Sequence, residues 1–210
     1  MCNKQIIVAR NLLTFMLFLF GTSCNNSTEY KNHNDSVGKM PETNFTGESI
    51  FQLTSAWQTE EGDTIQLSEL KGKVLVMVMI YTTCKAACPR LVADMKAIRE
   101  QIPDQFTKEI QYILVSIDPE HDTPKRLKSF AKTKEMDGME WTFLQGTPES
   151  VREFANVLSV KYKEITPIDF SHSNIISVFN KNGELIHQLE GLGVNNKETV
   201  ETIIKTASES

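Results

Sequence analysis

The feature of this chain that most restricts its fold is an unbroken apolar run at residues 73–81, KVLVMVMIY. The run has the length of a strand and does not alternate, so a strand formed here must be covered on both faces. A second run of the same kind, IQYILVSI, occupies residues 110–117. Two such strands separated by a helical segment are typical of an α/β fold, in which helices cover the faces of the sheet.

Helices are predicted between and after these strands. Apolar residues recur at helical spacing through residues 91–102. Thr123 and Thr147 are each followed by proline, and this pair of residues predicts an N-cap and a first helical position. A last helix is expected at residues 195–207. The helices therefore alternate with strands in the middle of the chain.

The remaining strands are short. Residues 51–57 and 64–66 predict two strands that open the domain, and residues 141–144 predict another. Residues 174–190 predict a hairpin that turns at Gly183. This order of elements is thioredoxin-like. We expect a central mixed sheet flanked by helices, with an N-terminal β-hairpin extension.

The N-terminal segment has the pattern of an export signal. Residues 1–23 place two basic residues ahead of an apolar stretch at residues 12–20, which is short for a bilayer span, and Cys24 follows. This order resembles a bacterial lipoprotein signal with lipidation at Cys24, although Gly21 stands where leucine is usual. An uncleaved anchor and a plain secretory signal are the alternatives. Each of these readings predicts a domain outside the cytoplasm, and a lipoprotein would be membrane-anchored on the periplasmic side.

The rest of the chain divides into a tether and one domain. Residues 24–45 are rich in Asn, Ser, Thr and charged side chains, so we expect a flexible tether, with His33 in solvent. Residues 46–210 form the predicted domain. The net charge of −5 and the absence of a basic run argue against nucleic acid as a partner.

Cys84 and Cys88 follow the first buried strand and begin the first helix, at the strand end where open α/β sheets carry their sites. The helix N-terminus favours a thiolate, which is both the nucleophile and the metal-ligating form of cysteine. Cys88 continues the apolar stripe of Leu91 and Met95, so we expect it to be the more buried of the two. Three interpretations stay open: a redox-active pair, a pair of metal ligands, and two buried cysteines without chemistry.

The spacing separates the first two interpretations only in part. Sulfurs four residues apart can form a disulfide, but the geometry is less favourable than for a Cys-x-x-Cys pair, whereas a metal ion spans them more readily. Two thiolates with one nitrogen suit Cu(I). Histidines that could supply the nitrogen are His121, His172 and His187. His187 is expected in a strand, His121 in a solvated loop, and His172 in the loop before the hairpin at residues 174–190. Spacing favours His172 over His121 only modestly.

Three motifs resemble the Sco/SenC family over roughly residues 45–207: YTTCKAACPRL, SIDPEHDTP and FSHSNIISVFNKNGE. The resemblance implies a thioredoxin-like, extracytoplasmic, membrane-anchored protein. It also implies that copper, as Cu(I) or Cu(II), is bound by Cys84, Cys88 and a histidine at the position of His172. Asp118 matches the acidic residue of the second motif, and we expect it near the site without a defined role.

The resemblance also implies a function and partners. Such a protein delivers copper to the binuclear copper centre during cytochrome c oxidase assembly, so its partner would be the copper-bearing oxidase subunit or another copper chaperone. The membrane would be reached through lipid on Cys24. The alternative is an enzyme, a thiol–disulfide oxidoreductase in which Cys84 attacks and Cys88 resolves. A copper-responsive signalling protein would use the same site, and a purely structural lipoprotein is the remaining alternative.

The chain departs from the family pattern at two places. Lys85 and two alanines stand between the cysteines, where a proline and an acidic residue are frequent. Ser171 precedes the histidine, where aspartate is common, and Asp169 lies two residues earlier. These departures leave the three ligand positions intact and bear on the choice of partner.

Overall fold

The structure is a computed structural model, which describes residues 49–166 and 169–209. The predicted signal segment at residues 1–23, the lipidation site Cys24 and the tether at residues 24–45 lie outside the described residues. Within the described ranges, no helix combines the length and the apolar character that a membrane span requires.

A mixed sheet forms the centre of the domain. The strands of the described residues are β1 (Ala56–Thr59), β2 (Thr64–Gln66), β3 (Val74–Ile80), β4 (Ile110–Ser116), β5 (Trp141–Gln145), β6 (Tyr162–Thr166), β7 (Asp169–His172), β8 (Ile175–Phe179) and β9 (Leu185–Glu190). One sheet has the order β2-β1-β5-β4-β3-β8-β9, while β6 and β7 pair separately. β3 is parallel to β4 and β4 to β5, and the other neighbours in the large sheet are antiparallel. The predicted mixed sheet with its N-terminal hairpin extension, β1–β2, is confirmed.

Helices surround the sheet. They are α1 (Cys88–Gln101), α2 (Pro124–Thr133), α3 (Pro148–Val157) and α4 (Lys197–Ser208). Both predicted Thr-Pro starts are confirmed, since the hydroxyl oxygens of Thr123 and Thr147 accept hydrogen bonds from N–H groups in the first turns of α2 and α3. α1 differs, because Ala87 at its N-cap offers no side-chain acceptor. The first-turn N–H groups of α1 are therefore available to another acceptor.

The two long apolar runs form the buried centre of the sheet. Every residue of β3 and of β4 is buried, which confirms that both faces of these strands are covered. Burying one aliphatic side chain contributes roughly 1.5–3 kcal/mol, so this pair of strands makes a large contribution to stability. The ring of Trp57 on β1 meets the ring of Phe154 on α3 at 5.6 Å between centroids. The loop that follows β3 therefore begins at the end of a fully buried strand.

The strand predicted at residues 51–57 is wrong in its first half. Residues 50–52 form a 3₁₀ turn, and β1 begins only at Ala56. The Ser49 hydroxyl accepts a hydrogen bond from the Phe51 N–H, and the N–H of Ile50 donates to the Gly183 carbonyl. Ile50 and Phe51 bury their side chains in this turn, so their apolar character indicated burial rather than a strand.

A second difference concerns the segment before β8, which was predicted to be a loop. Residues 162–166 and 169–172 pair as the antiparallel hairpin β6–β7, and His172 is the last residue of β7. The hairpin lies outside the large sheet, so neither face has to be uniformly apolar. Its strands carry charged residues such as Lys163 and Glu164 and therefore lack the alternating apolar pattern that predicts a strand.

Candidate metal and thiol centre

The candidate site begins in the loop that connects β3 to α1. β3 ends at Ile80, and the chain turns through residues 81–87 before α1 begins at Cys88. The Cys84 N–H donates to the Tyr81 carbonyl oxygen at 3.2 Å, which closes the turn. Cys84 therefore lies in a turn ahead of the helix, and Cys88 is the first residue of the helix itself.

Cys84 is half-buried and faces the N-terminus of α1. The Cys88 N–H donates to Cys84 Sγ at 3.2 Å. Burial alone would raise the pKa of the Cys84 thiol. The Cys88 N–H, the Cys88 side chain, the Ala86 N–H and the Tyr81 hydroxyl together outweigh burial, so the pKa of Cys84 lies below its ordinary value. Cys84 is therefore the sulfur that forms a thiolate more readily.

Cys88 has the opposite environment. Only 1% of its surface is exposed. Burial raises the pKa of the Cys88 thiol well above its ordinary range, and the adjacent Cys84 sulfur raises it further. The prediction that Cys88 is more buried than Cys84 is confirmed. The two sulfurs thus differ in access and in acidity, although four residues separate them.

His172 approaches Cys88 from the β6–β7 hairpin. Its Nε2 atom lies 3.7 Å from Cys88 Sγ, and its Nδ1 atom lies 3.0 Å from the Ser173 carbonyl oxygen. A carbonyl oxygen only accepts, so Nδ1 carries the proton and Nε2 presents its lone pair to the sulfur. Burial lowers the pKa of His172, although the Ser173 carbonyl acts in the opposite direction. The ring is therefore neutral at neutral pH.

The spacing between Cys88 and His172 fits two ligands of one metal ion. With a sulfur about 2.3 Å and a nitrogen about 2.0 Å from an ion, at trigonal or tetrahedral angles, the two ligand atoms are about 3.5–3.8 Å apart. The observed Sγ–Nε2 distance of 3.7 Å falls in that range. Among the described residues, no three His, Cys, Asp or Glu side chains already surround one point. A third ligand such as Cys84 would have to move towards the other two.

Asp122 holds the cysteine loop in place, a role that the residue pattern does not predict. Its side chain is fully buried. One carboxylate oxygen accepts from the Thr82 N–H at 3.0 Å and from the Ser116 hydroxyl at 2.7 Å, and the Thr82 hydroxyl donates to the other. Burial raises the pKa of Asp122 despite these bonds, and the charge of Asp122 contributes to the raised pKa of Cys88. These bonds connect the cysteine loop to Ser116, the last residue of β4.

The other candidate residues have different partners. Asp118 is buried, and its Oδ1 atom accepts from His121 Nδ1 at 2.8 Å. This bond raises the pKa of His121. His187 lies on the edge strand β9, where its Nε2 atom is 2.9 Å from the Thr199 hydroxyl. Of the three histidines considered from the sequence, His172 is the one hydrogen-bonded to a cysteine.

Fold and site together define a class of protein. A mixed thioredoxin-like sheet carries two thiols at the start of its first long helix, and a separate hairpin brings a neutral histidine to the buried thiol. The SCO1/SenC family model matches residues 41–208, which is most of the chain. The chain therefore belongs to the SCO1/SenC family.

Individual relatives agree with this membership. The SCO1 protein homolog of Bacillus subtilis is 34% identical over 100 residues, which cover 47% of this chain and 51% of that protein, so the chain spans about half the length of this relative. The structure of a SCO1/SenC family lipoprotein from Bacillus anthracis is similar with a TM-score of 0.67 at 21% identity, covering 73% of this chain and 92% of the other. The structure of Bradyrhizobium japonicum ScoI with copper bound has a TM-score of 0.61 at 20% identity, covering 72% and 96%. These likenesses confirm the predicted thioredoxin-like fold.

Proposed function

We propose that this protein is a copper chaperone that holds copper at Cys84, Cys88 and His172 and delivers it during cytochrome c oxidase assembly. The observation that carries the proposal is the 3.7 Å separation between Cys88 Sγ and the lone-pair nitrogen of His172. Two sulfurs and one imidazole nitrogen are soft donors that suit Cu(I) and can also bind Cu(II). Membership of the SCO1/SenC family and the likeness to a copper-bound ScoI structure support the choice of copper.

The two sulfurs would have different tasks in copper transfer. Cys84 is the more accessible and the more acidic thiol, so it would capture incoming copper and be the first sulfur that an acceptor's ligand displaces. Cys88 would lose its proton on binding, because a thiolate is the ligating form. His172 needs no change of protonation, since its Nε2 lone pair already faces Cys88.

The proposal includes a location and an acceptor. The pattern at residues 1–24 supports lipidation at Cys24, and residues 24–45 would then act as a tether that holds the domain near the periplasmic side of a membrane. The likeness to the lipoprotein from Bacillus anthracis agrees with this location. The acceptor would be the copper-bearing subunit of the oxidase, at its binuclear copper centre, or another copper chaperone.

The test is a competition titration of the reduced protein with Cu(I) and a chromophoric chelator. Cys84→Ser, Cys88→Ser and His172→Ala should each weaken binding by more than the roughly 10–100-fold that loss of a residue supporting a ligand costs. His187→Gln is the matched control, because His187 bonds to Thr199 on the edge strand, and it should bind copper normally. Unchanged affinity in His172→Ala would refute the three-ligand site.

A second candidate function is thiol–disulfide exchange, which the unequal acidity of the two thiols favours. The Cys84 thiolate would attack a partner's disulfide, form a mixed disulfide and release one partner thiolate. Cys88 would attack Cys84 Sγ and form the Cys84–Cys88 disulfide, and its proton would go to the departing sulfur, which leaves as the second partner thiol. His172→Ala should leave this reaction nearly unchanged. If this variant kept both reductase activity and the copper affinity of the parent protein, the result would favour the enzyme over the copper chaperone.

A further inference from the structure

The hairpin that carries His172 is attached to the rest of the domain through few connections. β6 and β7 pair with each other and not with the large sheet. At the base of the hairpin, the Ser173 N–H donates to the Lys161 carbonyl oxygen at 2.8 Å. On one side the hairpin borders a cavity of about 440 Å³, whose lining includes Tyr162, Glu164 and Phe170. The strands of the hairpin are therefore not held directly by pairing with the main sheet, so side-chain contacts to the rest of the domain bear on where His172 lies.

Tyr81 supplies such contacts. Its hydroxyl donates to Asp169 Oδ1 at 2.7 Å and accepts from the Phe170 N–H at 3.3 Å, and the Phe170 carbonyl oxygen lies 3.1 Å away. The Tyr81 ring meets the Phe170 ring edge-on at 5.2 Å and the His172 ring at 5.9 Å between centroids. One side chain thus touches three of the four residues of β7.

Tyr81 also belongs to the cysteine loop. Its carbonyl oxygen accepts the Cys84 N–H, and the residue is only 2% exposed. Its hydroxyl also interacts with the Cys84 side chain. Tyr81 directly follows β3, so its backbone continues from the fully buried central strand. The residue therefore connects the rigid sheet, the turn that holds Cys84 and the hairpin that holds His172.

We propose that Tyr81 is a positioning residue, whose hydroxyl, through Asp169 and the Phe170 N–H, fixes the β6–β7 hairpin so that His172 stays over Cys88. The inference deepens the proposed copper site and rests on it. Tyr81 does not bind the metal. The ring fills space beside the hairpin, and the hydroxyl provides directional bonds that a phenylalanine would lack.

The first test uses the copper-free reduced protein. Tyr81→Phe keeps the ring and removes the hydroxyl, so amide hydrogen exchange at Phe170 should become about tenfold faster, as expected for a lost hydrogen bond in a locally opening segment. Exchange in β3 and β4 should stay unchanged. Equal acceleration throughout the domain would mean general destabilisation and would overturn the positioning role, and so would unchanged exchange at Phe170.

The second test measures the release of Cu(I) to a chelator. Tyr81→Phe and Asp169→Ala should both release copper about tenfold faster, whereas Asp169→Asn, whose amide oxygen can still accept the bond, should stay within about twofold of the parent. Tyr112→Phe is the control, because its buried hydroxyl has no hydrogen-bond partner among the described residues. It should change neither measurement.

The two hypotheses fail in different ways. If His172→Ala binds copper as tightly as the parent, the proposed copper site is wrong, whatever Tyr81 does. If His172→Ala weakens binding but Tyr81→Phe leaves copper release and hairpin exchange unchanged, the copper site stands and the role of Tyr81 is refuted.

Discussion

At the scale of single residues, the two cysteines show how position controls the chemistry of one side chain. Cys88 is the more buried sulfur, because it continues the apolar stripe of Leu91 on α1. Its N–H donates to Cys84 Sγ, because Cys84 lies in a turn ahead of the helix. The helix thus stabilises a thiolate at Cys84, while the core opposes one at Cys88.

Selective alkylation tests this difference. Iodoacetamide added to the reduced protein near neutral pH should modify Cys84 much faster than Cys88, because only the thiolate reacts. The pKa of Cys84 is lowered, so the alkylation rate of Cys84 should level off at a pH below the ordinary thiol range. At any pH below a thiol's pKa, a difference of one unit in pKa changes the thiolate fraction about tenfold. Cys88, whose pKa is raised, should stay slow throughout. Peptide mass spectrometry gives both rates.

Cys84→Ser is the control for that measurement. It leaves Cys88 as the cysteine of the described residues, so label uptake by the domain should fall to the slow rate. Preferential labelling of Cys88 in the parent protein would contradict the electrostatic description of the pair.

At the scale of elements, local signals were sufficient where an element depends on its own residues. The helices that begin after Thr123 and Thr147 were predicted because the cap and the proline act within one turn. The residue pattern does not predict the hairpin β6–β7, because its strands carry charged side chains and do not alternate regularly between apolar and polar residues. The apolar side chain of Phe51 predicts burial, and a 3₁₀ turn buries it as well as a strand would.

Two glycines in hairpin turns allow a matched test of an element. Gly183 turns β8 into β9 at φ +78°, and a Cβ there would lie 2.7 Å from both the Phe51 ring and Ser49 Oγ. Gly62 turns β1 into β2 at φ +93°, with nothing within 4 Å of a Cβ. Gly62→Ala should cost about 1–2 kcal/mol for the backbone conformation. Gly183→Ala should cost about 1–3 kcal/mol more, because the methyl group overlaps its neighbours.

Urea denaturation of the two variants measures this difference directly. Both should keep the parent's dependence of unfolding free energy on urea concentration and differ in the midpoint. Equal midpoints would show that Phe51 and Ser49 move away from the added methyl group without a loss of unfolding free energy. The turn at residues 50–52 would then not stabilise the β8–β9 hairpin.

At the scale of the whole molecule, the site exists only when the chain is folded. Cys88 and His172 are 84 residues apart in sequence, and the folded sheet and hairpin bring them to 3.7 Å. Residue spacing alone left His121 and His172 as alternatives, because chain order does not say which loop folds back over α1. Similarity to the family selected His172, and its role as a copper ligand remains a prediction.

Copper should therefore stabilise the entire domain, since unfolding separates the ligands. Free Cu(I) at about 1,000 times the dissociation constant should add about 4 kcal/mol to the free energy of unfolding. Cys88 is protonated without copper and must lose that proton to bind it, so affinity should rise with pH. Between about pH 6.5 and 8.0 one released proton gives a rise of up to about 30-fold in affinity, or about 2 kcal/mol at fixed free copper.

Urea denaturation of the reduced protein in buffered Cu(I) at those two pH values measures both effects. The stabilisation should be larger at the higher pH and should nearly disappear in Cys88→Ser, which lacks both the ligand and the titrating proton. His172→Ala should lose much of the stabilisation but keep its increase with pH, because Cys88 still releases a proton when copper binds. If the parent and Cys88→Ser were stabilised equally, copper would be bound elsewhere on the chain.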